Sequence, residues 1–458
     1  MASQTPAGEH DAGGDLWSLL QARGFIQQCT DGEKVRSELR SGPVTAYVGM
    51  DPTADSLHVG HLLPLMALAH LQRAGHRPIA LMGGGTAMIG DPSGKTEMRP
   101  MLSRQEIEQN VAAIRAQVEH ILQTAASSPA DSAPTSPSAN SSPPASSTAL
   151  VLNNADWILP LQYIDFLREV GSQFSVNRML AAECFRTRLE RGLSFIEFNY
   201  MLLQAYDFLT LYRRYGCRLQ MGGDDQWSNI IAGVELIRRL EGGQAYGLTF
   251  PLLVTSSGKK MGKTEAGAVW LSPAKTTPYE FYQFWRNTAD ADVARFLALY
   301  TFLPLEEIRE LTATSGAGLN RAKERLAYEV TALVHGREQA EQAQAAARLL
   351  FGGAIAGSMP PHGVAMRAAG VAAGAVPAVE LSAAEVERGI AVVELLVRCG
   401  LAPSKSEGRR LIQQGGVEIN DTPITDVERR LDMADFRGDD RQLLVRKGKK
   451  GFCWVRLH

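Results

Sequence analysis

Cysteine, net charge and long apolar runs are all scarce in this 458-residue chain. Its five cysteines, Cys29, Cys184, Cys217, Cys399 and Cys453, are scattered, and no pair has metal-ligand spacing. That argues against a zinc-binding architecture and for reduced thiols in a cytoplasmic protein. No run of about 18 apolar residues occurs, so no membrane-spanning helix is expected. The polar stretch MASQTPAGEHDAGGD lacks the apolar segment of a secretory signal, and residues 1–15 are expected to be disordered. The formal net charge of −2 gives the molecule no global basic field that would attract nucleic acid. The charge is uneven, however: from Ala391 to His458 there are 13 Lys/Arg against 10 Asp/Glu, which leaves the remainder at −5. A small basic tail on an acidic body suits an RNA-binding appendage.

The length allows roughly two to four domains. Between residues 44 and 240, short apolar runs alternate with amphipathic stretches. Thr45–Gly49, Pro78–Gly83, Leu150–Asn153 and Arg218–Met221 read as strands. Residues 57–74 and 103–123 read as helices, the second opened by a serine cap. This alternation predicts an α/β, Rossmann-like doubly wound parallel sheet over residues 16–255, with ligands beyond the carboxyl ends of its strands. Residues 125–149 break the pattern. Nine Ser, five Pro, seven Ala and a single charged residue, Asp131, bury too little surface to order themselves, so a disordered insertion is predicted. Residues 256–352 read as a mobile loop and a helical domain, 353–389 as a Gly/Ala/Pro-rich linker, and 390–458 as a small α+β domain.

Five segments carry chemistry. In Asp51–His61 (DPTADSLHVGH) a predicted strand meets a predicted helix. His58 and His61, three apart, share a face of the first helical turn, where the N–H groups and the helix dipole favour phosphate. Gly258–Thr264 (GKKMGKT) places Lys260 and Lys263 on a glycine-flanked loop, able to neutralise a transferring phosphate and then withdraw. Gly83–Arg99 (GGGTAMIGDPSGKTEMR) falls one residue short of P-loop spacing, and its Asp91–Pro92 pair suits a turn better than a phosphate nest. Along Ser194–Leu211, Tyr200, Gln204 and Asp207 form a polar arc on an otherwise apolar helix, so they must face partners or a cavity. Gln220–Asn229 (QMGGDDQWSN) ends a strand in two glycines, followed by Asp225 and Gln226, a pattern suited to ribose hydroxyls and a carboxylate.

Together these segments resemble the class I aminoacyl-tRNA synthetases. HVGH is similar to the HIGH signature and KMGKT to the KMSKS signature, in the same order and about 200 residues apart. YVGMDPTADSLHVGH, GGGTAMIGDPSGK, YMLLQAYDF and MGGDDQW are similar to bacterial tyrosyl-tRNA synthetases in particular. The tail from Val393 resembles the S-four-like RNA-binding domain that ends those enzymes. The resemblance runs from about Leu16 over nearly all of the chain apart from the insertion.

It implies that ATP and Mg²⁺ serve to activate L-tyrosine, which then passes to tRNA(Tyr), and that the protein is a homodimer. By the same resemblance Tyr47 and Asp207 would bond the phenol, Asp91, Tyr200 and Gln204 the ammonium group, and Gln226 the carboxylate. Asp51, Thr53, His58, His61, Gly223 and Asp225 would bind ATP. Lys95, Arg99, Lys260, Lys263 and Thr264 would meet the pyrophosphate. His58, His61, Lys260, Lys263 and Thr264 would form the catalytic set. Arg409, Arg410, Lys447, Lys449 and Lys450 would meet RNA. Val48 stands where many members carry a cysteine, and Gly262 and Thr264 replace the serines of the class signature. A tryptophanyl-tRNA synthetase, a non-catalytic RNA-binding paralogue and a small nucleotidyltransferase are the competing readings. The Tyr47–Asp207 pair argues against the first, the intact histidines and lysines against the second, and the KMGKT separation and tail against the third.

Overall fold

The structure, a computed structural model, describes residues 15–93, 101–127, 148–182, 185, 189, 192–256, 258, 261–264, 267–351, 378–420, 422–436, 441–448 and 451–457. Among these, residues 15–272 and 288–326 form one compact unit, and residues 273–287 and 327–457 a second.

The first unit is built on a six-stranded sheet of β1 (Gln28–Cys29), β2 (Thr45–Met50), β3 (Arg77–Met82), β4 (Leu150–Asn153), β5 (Cys217–Gly223) and β6 (Tyr246–Phe250), in the order β1-β6-β5-β2-β3-β4. All neighbours are parallel except β1, which runs antiparallel to β6. β2, β3 and β6 are buried along almost their whole length, so their sequences read as continuous apolar runs rather than alternating ones. The chain lays β2, β3 and β4 outward, then returns to place β5 and β6 on the other side of β2. That reversal, between β2 and β5, is the switch point at which such a sheet opens a ligand crevice.

The helix Leu62–Arg73 buries nine of its twelve residues, which ties the strand end before it to the middle of the fold. The helix Phe195–Tyr215 starts at a capping box of Ser194 and Glu197 and stops at Gly216, whose φ of 61° is left-handed. The helix Arg104–Ser127 continues past the expected residue 123, and the insertion residues 128–147 lie outside the described residues. Asp15, assigned to the disordered N-terminus, is ordered: it caps the helix Leu16–Arg23 and pairs with Arg36 at 2.8 Å. A two-stranded hairpin, β7 (Lys263–Thr264) with β8 (Gly267–Ala268), follows the sheet.

Residues 256–352 do not behave as one domain. Arg23 is buried and its guanidinium donates to Ala298 O and Thr301 O at 2.9 Å and to Leu303 O at 2.6 Å. These carbonyls end the helix Asp290–Tyr300, so the clamp joins that helix to the sheet unit.

In the second unit the last part of the chain forms a sheet of β9 (Ala378–Leu381), β10 (Val417–Ile419), β11 (Thr422–Pro423), β12 (Gln442–Lys447) and β13 (Gly451–Leu457), in the order β11-β10-β12-β13-β9. Its core draws on Leu381, Val386, Val392, Ile412, Val445 and Val455. The linker expected over 353–389 therefore ends too late: β9 pairs in parallel with β13, and Ser382 caps the helix Ala383–Glu387. A four-residue edge strand in an Ala/Gly-rich run is too short to show a period of its own.

Candidate active site

A cavity of about 400 Å³ opens at the switch point. Twelve of the residues assigned to tyrosine and ATP line it: Tyr47, Asp91, Tyr200, Gln204, Asp207 and Gln226, and Asp51, Thr53, His58, His61, Gly223 and Asp225. They arrive from the carboxyl ends of β2 and β5, from the loop after β3, and from the inward arc of the helix Phe195–Tyr215.

The HVGH motif is not the first turn of the long helix, as expected, but a separate 3₁₀ turn, Val59–His61, with His58 as its cap. His58 Nδ1 accepts from Gly60 N at 3.1 Å, and His61 Nδ1 accepts from His58 N at 3.2 Å. With both Nδ1 atoms engaged as acceptors, each neutral imidazole carries its proton on Nε2, where it can donate. The two rings lie 4.1 Å apart, centroid to centroid.

The foot of the cavity is polar and almost dry. Asp207, only 3% exposed, accepts from Trp157 Nε1 at 2.7 Å and from Asn154 Nδ2 at 2.8 Å. Burial raises its pKa to about 7, against the opposing effect of those two donors, with the nearby Asp51 adding to the rise. Tyr47, 1% exposed, has a hydroxyl with no hydrogen-bond partner among the described residues. Burial, and then the charge of Asp207, push that phenol well above its usual pKa.

Higher up, Tyr200 OH donates to Asp51 at 3.0 Å, and Thr86 Oγ1 donates to the other oxygen of Asp51 at 3.0 Å. Gly83 makes the second contact possible, because a Cβ there would collide with both Asp51 and Thr86. Gln226 Nε2 donates to Asp91 at 2.7 Å, and Asn229 Nδ2 lies within 3.1–3.2 Å of Gln204, Gln226 and Ser93.

Asn154, Trp157, Thr86 and Asn229 were missed in the sequence. The signal for the first two was the NNADW stretch directly after a strand, at the edge where ligands bind. Lys95, Arg99 and Lys260 lie outside the described residues, as do Lys449 and Lys450. Lys263 and Thr264 contribute backbone to β7. Of the basic residues assigned to RNA, Arg409 is exposed and Arg410 pairs with Glu407 at 2.7 Å. Lys447 ends β12 beside them, since Gly448 N donates to Gly416 O at 2.8 Å and Gly416 N to Leu411 O at 2.9 Å.

This sheet, with a histidine turn at its switch point and a lysine hairpin following, defines a class I aminoacyl-tRNA synthetase, and the family described as tRNA synthetases class I (W and Y) matches residues 39–352. A second family, the tyrosine–tRNA ligase SYY-like C-terminal domain, matches residues 370–455. The tyrosine–tRNA ligase of Caldanaerobacter subterraneus subsp. tengcongensis is 53% identical over 434 residues, 95% of this chain and 97% of that one. That of Acetivibrio thermocellus is 49% identical over 442 residues, 96% of this chain and 99% of that one. The crystal structure of a C-terminally truncated mitochondrial tyrosyl-tRNA synthetase from Aspergillus nidulans superposes with a TM-score of 0.65 at 29% identity, covering 74% of this chain and 94% of that one. The chain belongs to the tyrosine–tRNA ligases.

Proposed function

We propose that this protein activates L-tyrosine with ATP, releases pyrophosphate, and transfers the tyrosyl group to the terminal adenosine of tRNA(Tyr). The observation that carries the choice of amino acid is the buried pair at the foot of the cavity. Tyr47 offers a hydroxyl and Asp207 a carboxylate where an aromatic side chain would end, and a phenol can bond to both. An indole or a plain phenyl ring would leave them stranded. Asp91, Gln204 and Gln226 then surround the ammonium and carboxylate ends, with Tyr200 bridging to Asp51.

The tyrosine carboxylate attacks the α-phosphorus, so no protein nucleophile is required. Catalysis is alignment and charge stabilisation. His58 and His61 donate from Nε2 to the phosphates as charge develops, and Lys260 and Lys263 of the KMGKT segment supply ammonium groups to the same phosphates. Among the described residues no cluster of three or more His, Cys, Asp or Glu could hold a metal alone. Mg²⁺, where bound, would be carried with the ATP phosphates and help neutralise their charge.

The C-terminal domain, with Arg409 and Arg410 on the helix Lys405–Gln413 and Lys447 at the end of β12, is read as the RNA-binding part. Leu159, Tyr163, Ile164, Val176 and Phe195 each expose between 41% and 72% of their surface within one stretch of chain, which supports a homodimer. No described helix is long and apolar enough to cross a membrane, and the reading places the protein in the cytoplasm. The test is ATP–pyrophosphate exchange with each of the twenty amino acids: exchange with tyrosine alone is expected, and exchange driven by tryptophan in its place would overturn the reading.

A further inference from the structure

One short run of backbone touches both signature motifs. After the hairpin β7–β8, residues 269–271 lie antiparallel to residues 57–59. Val59 N donates to Val269 O at 3.0 Å, Leu271 N donates to Leu57 O at 2.8 Å, and His58 faces Trp270 across the bridge. On the other side, Val269 N donates to Gly262 O at 3.0 Å, inside the KMGKT motif. Gly262 sits at φ 81°, where a Cβ would lie 2.5 Å from Val59 Cγ2. The close approach of the two motifs thus depends on a glycine at a position where the class signature has serine.

The run is anchored beyond Trp270 as well. Ser272 N donates to Ser56 Oγ at 3.1 Å, and Gln117 accepts from Leu57 N at 2.9 Å. The backbone on either side of His58 is therefore fixed. The His58 side chain is held at Nδ1 by Gly60 N at 3.1 Å, and its ring has the His61 ring on one side and the Trp270 ring, edge-on at 6.2 Å and 63°, on another. Both His58 and Trp270 line a second cavity of about 370 Å³ next to the first.

We propose that Trp270 is a positioning residue for adenylate formation: carried on the run that joins the two motifs, its ring holds the His58 imidazole at the angle from which Nε2 meets the nucleotide. This rests on the role for His58 given above. With a smaller, flexible side chain at 270 the imidazole loses the ring edge that supports it and can tilt about its Nδ1 contact with Gly60 N while the backbone bridge persists. Displacement of a catalytic group by about 1 Å can cost on the order of a hundredfold in rate, so the effect should be large.

The experiment is a double-mutant cycle on the full-length protein, read by pre-steady-state adenylate formation and by tyrosine binding. Trp270→Leu should slow adenylate formation roughly tenfold or more, with tyrosine affinity unchanged. Trp270→Phe, which keeps an aromatic edge, should recover to within about threefold of wild type. In a His58→Asn background, Trp270→Leu should add less than about twofold, because the group it positions is gone. The same loss in both backgrounds would overturn the proposal, as would an adenylation rate within twofold of wild type for Trp270→Leu. Should the leucine variant not fold, the cycle is run with Trp270→Phe, whose smaller loss must likewise vanish in the His58→Asn background. A wild-type protein that exchanges no pyrophosphate with tyrosine would remove the role of His58 itself, and the proposal with it, an outcome distinct from an additive cycle.

Discussion

Tyr47→Phe should move two properties in opposite directions. The hydroxyl is buried, has no hydrogen-bond partner among the described residues, and lies beside a carboxylate whose charge acts on it. A buried unsatisfied polar group costs about 1–3 kcal/mol, and the low end applies here because the adjoining cavity is polar. The ring itself packs tilted on Phe208 with centroids 5.4 Å apart, and phenylalanine would keep that contact. Removal of the oxygen should therefore stabilise the unliganded protein by about 1 kcal/mol, a rise in Tm of about 1–3 °C for a unit of this size. The same change deletes a neutral hydrogen bond to the substrate phenol, of about 0.5–1.5 kcal/mol, so kcat/KM for tyrosine should fall about two- to tenfold. Activation of phenylalanine should not fall, so the preference for tyrosine narrows. The assays are thermal unfolding without ligand and pyrophosphate exchange with the two amino acids. A variant that is less stable than wild type and keeps its full preference would show that Tyr47 is a packing residue, and would refute the reasoning.

Asp207 must be ionised to accept from Trp157, Asn154 and the phenol together, and its carboxyl titrates at about 7. kcat/KM for tyrosine, which reports the unliganded enzyme, should thus decline as pH falls through about 7, approaching tenfold per unit. A profile flat from pH 8 to 5.5 would remove the carboxylate from the recognition scheme. Arg23→Met should destabilise the first unit by about 3 kcal/mol, since three carbonyls, two of them buried and one partly so, lose their donor. Arg23→Lys should not rescue it, because an ammonium lacks the fork that reaches all three, and calorimetry that finds either variant as stable as wild type would discard the clamp. A chain ended before Ala378 should keep tyrosine-dependent pyrophosphate exchange within about twofold while tRNA charging falls at least about a hundredfold, because the removed part has its own core. Full charging by that shortened protein would show that the last domain is not the RNA-binding part.

The central strands of the parallel sheet were legible because burial on both faces leaves a continuous apolar run that ends in glycine. β2 and β3 were visible in this way, β5 by the paired glycines that end it, and the half-buried edge strand β4 by its short Leu-Val-Leu run. β1, with two residues, offers no pattern to read, and β9 is four residues at a sheet edge inside a stretch whose composition argues for a linker. The division of the helical region was hidden for another reason. Helical periodicity shows that a helix has an apolar face, but not which partner covers it. The partner of Asp290–Tyr300 is fixed by one buried arginine about 275 residues upstream.

The site was legible as far as its residues are local in sequence. HVGH, GKKMGKT and the arc of Tyr200, Gln204 and Asp207 each lie within a dozen residues. The bonds that give those residues their properties do not. Asp207 depends on Asn154, 53 positions away, Tyr200 bonds to Asp51 across 149, and Asn229 bonds to Ser93 across 136. These pairings are why a carboxylate can be buried at the foot of the cavity at all: two fixed donors offset part of the cost of removing it from water. They also undo the clean separation of an amino-acid set from a nucleotide set. Tyr200, assigned to the ammonium group, and Asp51, assigned to ATP, share a hydrogen bond, and Thr86 holds both Asp51 and Asn154. A single chain of contacts therefore runs from the phenol end of the cavity to the nucleotide end, through Asp207, Asn154, Thr86, Asp51 and Tyr200. In the proposed reading, bonding of the phenol at one end would bear, through that chain, on Asp51, assigned to ATP, at the other.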